Sequence, residues 1–316
     1  MRHLTLAAAA FAAAAQPSLA SAQCAMSLLT RHGDPHRTRI YAAAGGVPAV
    51  YFRADADVNT DGASRSYHPA DPRGRSRALN NIANAISRIR DAQGHVIDCS
   101  PRSRACFTRY ITTFEAARDA AWNPSGHPSV ETSGIIPWRQ DASLGRRVPC
   151  TIGAGPYSGY FVSQTAFIAD PAKGACDQAR YLDSVVFNGA VLPRNALWTS
   201  LGKRARVGDL VVMRAPATGR TVYAIVGDVG PQRSIGEGTI ALAAALRGAA
   251  VSPAATYPEI KALALPDVQY VLFPGAGIRE RVPGALTQAD IDREARQLFD
   301  RWGGEARLGQ CAALAR

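Results

Sequence analysis

The sequence predicts a mainly β protein with flanking helices, an α+β arrangement, and three observations carry that reading. From Tyr157 onward, short β-branched and aromatic runs recur between turn signals: Tyr160 to Ile168, Val185 to Val191, Leu210 to Met213, Thr221 to Val226 and Val268 to Phe273. Helical periodicity is confined to a few short segments around them. Hydrophobic residues make up 47% of the chain, enough to fill a real core.

The elements follow in chain order. Met1-Arg-His, the apolar run Leu4 to Ala15 and the small-x-small pattern ending at Ala22 read as a signal peptide over residues 1–22, cleaved near Ala22. The apolar run is too short for the ~20 residues of a membrane span. Cys24 follows Ala-Gln rather than a lipoprotein box. The expectation is therefore a secreted, extracellular or periplasmic protein with no membrane anchor. All six cysteines lie beyond Ala22, and an even number in an oxidising compartment suggests disulfides. Sequence proximity favours Cys99 with Cys106 and Cys150 with Cys176, leaving Cys24 with Cys311; buried free thiols are the alternative. No Cys-x-x-Cys spacing supports zinc.

Val47 to Asp55 reads as a first strand, within a first part of the catalytic domain over 23–62. Residues 63–156 read as an inserted, arginine-rich region. An amphipathic helix is expected from Ser76 to Arg90, with Ala78, Leu79, Ile82, Ile86 and Ile89 on one face, and a shorter helix from Thr113 to Trp122. Asn123-Pro-Ser-Gly-His-Pro-Ser is loop. Residues 157–316 hold the main part of the domain. Ile240 to Leu246 is a helix former stopped by Gly248. Thr287-Gln-Ala-Asp290 opens a terminal helix whose apolar face is Ile291, Ala295, Leu298, Phe299 and Trp302, stopped by Gly303-Gly304.

The segment Tyr223 to Thr239 carries the chemistry. A buried strand delivers Asp228 to a glycine-proline turn, and Glu237 falls near the start of the following helix. An inverting glycosidase needs a protonated carboxyl to donate to the leaving oxygen and an ionised one to activate water, roughly 6.5–9.5 Å apart. A helix N-terminus would favour charged Glu237, which suits the base. Apolar neighbours would desolvate Asp228, which suits the acid. The competing reading makes Asp228 a turn residue and Ser234-Ile-Gly-Glu237 a capping box.

The run Val-Gly-Asp-Leu-Val-Val, turn, strand, Gly-Asp-x-Gly-Pro, helix resembles double-psi β-barrels, a core used by other cell-wall-active proteins. Several blocks also resemble glycoside hydrolase family 75, the fungal-type chitosanases. They are Tyr51 to Gly62, Gly159 to Phe167, Arg180-Tyr-Leu-Asp-Ser184, Val191-Leu-Pro193, Gly208 to Val212, Gly227 to Gly238 and Val268 to Gly275. Residues 63–156 have no counterpart. The resemblance implies an inverting endo-chitosanase whose essential carboxylates match Asp228 and Glu237, acting without cofactor or metal. It makes Asp55, Asp57, Asp61, Asp183 and Tyr181 substrate-binding candidates. Tyr157, Tyr160 and Trp198 are further candidates for sugar stacking, with core packing as the alternative. Asp55-x-Asp57-x-Asn59-x-Asp61-Gly62 has calcium-loop spacing, but His68 stands where a bidentate Glu is required. Ammonium binding, another cation site and a solvated turn stay open for it.

The net charge is +11, almost all from arginine. Chitosan is a polycation, so that substrate requires a locally acidic cleft; Asp55, Asp57, Asp61, Asp183, Asp209, Asp228 and Glu237 are available to build one. The expected partner is chitosan or a related amino-sugar polymer, met by a monomer, with no nucleic acid. The alternatives are a peptidoglycan-active hydrolase or lytic transglycosylase, which the basic charge suits, and a non-catalytic wall-binding module. Arg31-His32-Gly33 resembles a phosphohistidine motif, but the second, late histidine such phosphatases need is missing, since the last is His127.

Overall fold

The computed structural model describes residues 24–32, 38–43, 45–99, 103–132, 134–194, 205–232 and 234–314. The expected leader at 1–22 and Trp198 lie outside them. The strands are β1 (Met26–His32), β2 (Thr38–Ala43), β3 (Val50–Asn59), β4 (Arg88–Arg90), β5 (Ser129–Glu131), β6 (Trp138–Asp141), β7 (Arg146–Pro149), β8 (Gly189–Pro193), β9 (Asp209–Ala215), β10 (Arg220–Gly230), β11 (Glu237–Thr239) and β12 (Leu265–Gly277). The helices are α1 (Arg104–Asp119), α2 (Ile240–Arg247), α3 (Tyr257–Lys261), α4 (Gln288–Trp302) and α5 (Gly304–Cys311).

The main sheet runs β1-β2-β3-β11-β8-β10-β9-β12, and β12 returns to pair with β3. Six strands therefore close into a barrel, which leaves no free edge among them. Two neighbouring pairs are parallel, β3 with β11 and β8 with β10; the rest are antiparallel. The protein is mainly β with flanking helices, as its strand-like runs predict.

The alternation of strand side chains makes two cores. One face of each long barrel strand supplies an inner cluster that includes Phe52, Ala190, Met213, Val226, Tyr270 and Leu272, joined by Leu242 and Leu246 of α2. The opposite face supplies Tyr51, Val212, Ile225 and Phe273, which pack against Ile291, Leu298, Phe299 and Trp302 of α4. That apolar stripe and the Thr287–Asp290 capping box are those expected from the sequence. Trp302 is fully buried, and its truncation to Ala would cost about 3–5 kcal/mol. Gly248 ends α2 in the left-handed conformation, with φ 70°.

The region 63–156 has its own core of Tyr67, Ile82, Ile89, Ile111, Phe114 and Ile136, closed by Phe161. Here the expected helix from Ser76 to Arg90 does not form. The Asp71 carboxylate accepts hydrogen bonds from the backbone N–H groups of Arg75, Ser76, Arg77 and Ala78, which fixes an irregular loop instead. Only a 3₁₀ turn at Ile82–Asn84 remains, and Arg88–Arg90 pairs as a strand with Ser129–Glu131. The second helix starts earlier than expected, at Arg104, because Ser103 caps it by accepting from Cys106 N–H. Tyr160 to Ile168 is mostly irregular rather than strand; it lies over the barrel as the loop that meets Asp228.

Three disulfides join Cys24 to Cys311, Cys99 to Cys106 and Cys150 to Cys176: the two pairs sequence proximity favours and the one they leave. Among the described residues no helix is long and apolar enough to cross a membrane.

Candidate active site

The site grows from one lateral row of the barrel. Glu237 on β11 stands opposite Asp57 on the parallel strand β3 and opposite Val191 on β8. Val191 in turn stands opposite Asp228 on β10. Residues in register across a sheet project to the same face, so Asp57, Glu237 and Asp228 share the outer face of the barrel. One strand, β8, separates Asp228 from Glu237. Two strand spacings put their backbones roughly 9.5 Å apart.

Asp228 reaches this row through a bulge. The β10–β8 register shifts between Val226 and Asp228, so the inward alternation of Ala224 and Val226 breaks and Asp228 turns outward. It lies inside β10, which continues to Gly230, rather than at the strand's end as expected. Its Oδ1 accepts from Val229 N–H at 2.8 Å and from Ala166 N–H at 2.9 Å. Burial nevertheless pushes its carboxyl up to about 6, against those two bonds and the charge of Arg194.

Glu237 also departs from expectation. The α2 cap is Thr239, whose hydroxyl accepts from Leu242 N–H, and no Ser234–Glu237 capping box forms. Glu237 is a strand residue two positions before the cap, so the helix N-terminus does not hold its charge. Burial raises its pKa, with repulsion from Asp57 next; Lys261 opposes the rise and Asp228 adds to it. Its position depends on Gly236, which sits at φ +97°, where a Cβ would lie 2.2 Å from the Asp55 carbonyl oxygen. Only glycine lets the loop close on β3 there. Gly236 O accepts from Asp57 N–H at 2.8 Å, which locks the two strands in register.

Asp61 joins the pair from the loop after β3. Tyr67 Oη donates to its Oδ1 at 2.8 Å, and Asn80 Nδ2 donates to Tyr67 Oη at 3.1 Å and to Thr60 Oγ1 at 3.2 Å. Burial pushes Asp61 up to about 7, followed by repulsion from Asp228; the Tyr67 bond lowers it and Glu237 raises it again. Asp61 therefore keeps its proton to higher pH than Asp228 does. Tyr67 and Asn80 carry no signal in the sequence, since they fall in the non-periodic region that follows Asp-Gly.

The other candidates divide. Asp55 and Asp57 are exposed on β3, two residues apart on the outer face. They stand on an extended strand, so Asp55, Asp57, Asn59 and Asp61 cannot wrap one ion as a calcium loop does. Among the described residues no group of three His, Cys, Asp or Glu side chains is arranged to hold a metal. Asp183 is partly buried and its Oδ1 accepts from Val185 N–H at 2.8 Å; burial raises its pKa. It borders a cavity with Ser64, Tyr157 and Val186, set apart from the carboxylate row. Tyr181 is not available to a sugar: it is buried against Cys150 and Val162, and its hydroxyl donates to Ala175 O at 2.8 Å. Asp209 is fully buried and accepts from the backbone of Arg206 and Gly275, so it braces two loops and adds nothing to a cleft. Tyr157 and Tyr160 are partly exposed and meet edge to face, 6.0 Å between centroids.

The loop at residues 163–167 supplies the site's other wall. Gly62 N–H donates to Ser163 Oγ, Gln178 Nε2 donates to both Gly62 O and Ser163 O, and Phe167 N–H donates to Gly227 O. These bonds hold the 163–167 loop against both Asp61 and Asp228. The chain matches no known protein-family model and no curated protein.

Proposed function

We propose that the protein is an exported inverting endo-glycosidase that hydrolyses β-1,4 bonds of chitosan or a related amino-sugar polymer. The observation that carries this reading is the lateral row: Asp228 and Glu237 face one way, separated by a single strand, with backbones roughly 9.5 Å apart that leave room for a water between carboxylate and sugar. Asp228, raised to about 6, is the acid that protonates the leaving oxygen. Glu237, whose charged form Lys261 favours, is the base that activates water from the opposite face. Asp61, pushed up to about 7, stays protonated wherever Asp228 holds the proton it donates, and so adds no second negative charge beside Glu237. Asp55 and Asp57 extend the acidic face along β3 and suit the ammonium groups of glucosamine, in a chain that is otherwise basic.

The two parallel strand pairs of the closed barrel fit a double-psi arrangement, which agrees with the sequence resemblance. Three disulfides fit an oxidising compartment outside the cytoplasm. The test is a substrate panel. Purified protein is incubated with chitosan, chitin and peptidoglycan, and new reducing ends are counted. The reading expects release from chitosan, with Asp228→Asn and Glu237→Gln each lowering it by about 10³-fold while remaining folded. Release from peptidoglycan alone, insensitive to Glu237→Gln, would replace it with a single-acid transglycosylase.

A further inference from the structure

The lobe carries a second feature remote in character from the acidic row. Between residues 63 and 156 there are 13 arginines, no lysines and 7 acidic residues, so the lobe holds +6 of the chain's +11. On it opens a cavity of about 270 Å³, lined by Trp122, Trp138, Pro124, Glu131, Arg146 and Arg147. Its lining includes none of Asp57, Asp61, Asp228 and Glu237.

The two indoles form a corner. Their centroids are 5.8 Å apart at 79°. Trp138 Nε1 donates to Thr132 Oγ1 at 2.8 Å, so its polar edge is already satisfied and its ring serves as wall. Trp122 is placed by an unusual turn at the end of α1: Ala121 and Trp122 are both left-handed, with φ 49° and 62°. Such residues are strained and persist where their surroundings demand them. Here the turn sets Trp122 between Phe114 and Trp138. An indole corner is a platform for the C–H face of a pyranose.

The polar part is cationic. Arg146 Nε is buried with no hydrogen-bond partner among the described residues. An unsatisfied buried donor is destabilising, and a carboxylate accepting from it would relieve that. Arg147, exposed beside it on β7, adds a second guanidinium at the rim. We propose that this pocket is a binding site for a carboxylate-bearing polysaccharide, with the sugar ring on Trp122 and Trp138 and its carboxylate on Arg146 and Arg147. The lobe and the acidic row then take glycans of opposite charge. The lobe tethers the protein to an anionic matrix, and the cleft stays free for its own substrate. Neither the site nor its ligand depends on the hydrolytic reading.

The test uses the full chain and polygalacturonate as probe, by affinity gel electrophoresis at fixed ionic strength, with neutral dextran as reference. The wild type is expected to be retarded by polygalacturonate and not by dextran. Arg146→Gln with Arg147→Gln should weaken that retardation about tenfold, with the thermal melt and any chitosan hydrolysis unchanged. Arg104→Gln with Arg109→Gln removes the same charge from the exposed face of α1 and should change it less than about twofold. Equal losses from the two double variants would make the binding diffuse electrostatics and overturn the site. So would a wild type that polygalacturonate does not retard, or an Arg146/Arg147 variant that still binds fully.

Discussion

Gly236→Ala offers a perturbation whose size can be worked from the backbone alone. Gly236 sits at φ +97°, and a Cβ there would lie 2.2 Å from Asp55 O and 2.8 Å from the Ala54 Cβ. Non-bonded atoms settle near 3.5 Å, so β11 must retreat from β3 by roughly 1.3 Å. Glu237 is the next residue and moves with it. A displacement of about 1 Å at a reacting group can cost on the order of 10²-fold in rate. Backbone strain alone is separable, because Gly284 has the same φ of +97° with nothing within 4 Å of a Cβ. Gly284→Ala should therefore lose about 1–3 kcal/mol of stability and keep its turnover. Gly236→Ala should lose at least as much stability and about 10²-fold in kcat on chitosan oligomers, with both followed by thermal melts and initial rates. If Gly236→Ala turned over like Gly284→Ala, Glu237 would not need its register with Asp57, and the row would not be the catalytic site.

Asp61→Asn mimics the protonated carboxyl and should cost less than about tenfold in rate, whereas a loss equal to that of Asp228→Asn would make Asp61 the acid. The same variant tests linkage: the folded-state pKa of about 7 lies above the ordinary 3.8, so wild-type stability from this group is full below pH 3.8 and is lost as pH rises through 7. Asp61→Asn should thus gain stability over wild type at pH 8, by at most about 4 kcal/mol, and gain nothing at pH 3.5 in paired urea melts; an equal gain at both pH values would contradict it. Tyr67→Phe removes the donor that lowers Asp61, so any alkaline limb of the rate profile governed by Asp61 should move to higher pH; an unchanged limb would remove Asp61 from it. Cys24→Ser with Cys311→Ser opens a crosslink spanning 287 positions, with an expected loss of up to about 5 kcal/mol in denaturant midpoint measurements; an unchanged midpoint would show that α5 docks without it.

Much of this was legible in the chain because burial on both faces writes continuous β-branched and aromatic runs into β9, β10 and β12, and burial on one face writes a helical stripe into α4. The Thr287 cap and the pairs Cys99–Cys106 and Cys150–Cys176 followed from local spacing, and Cys24–Cys311 was the pair they left. What periodicity could not convey was competition from side chains and register. The apolar spacing at Ala78, Leu79, Ile82 and Ile86 is helical, yet Asp71 binds the N–H groups that would start such a helix. Strands β1 and β2 have mixed burial and gave no clean alternation. At the site, the identity of Asp228 and Glu237 was legible, but their alignment through Val191 was not. It depends on a bulge in β10 and on parallel pairing between β11 and β3, contacts made across long sequence separations. Tyr181 looked like a sugar platform only because aromatic residues in a core and on a surface have the same one-letter signature.

In the proposed reaction Asp228 and Glu237 act on opposite faces of one sugar, with water between. Proton NMR of chitosan cleavage within the first few per cent of reaction tests it most directly. The new reducing ends should appear first as the α-anomer and only later equilibrate, a signal absent in both Asp228→Asn and Glu237→Gln. Initial release of the β-anomer, or unchanged cleavage by either variant, would contradict it.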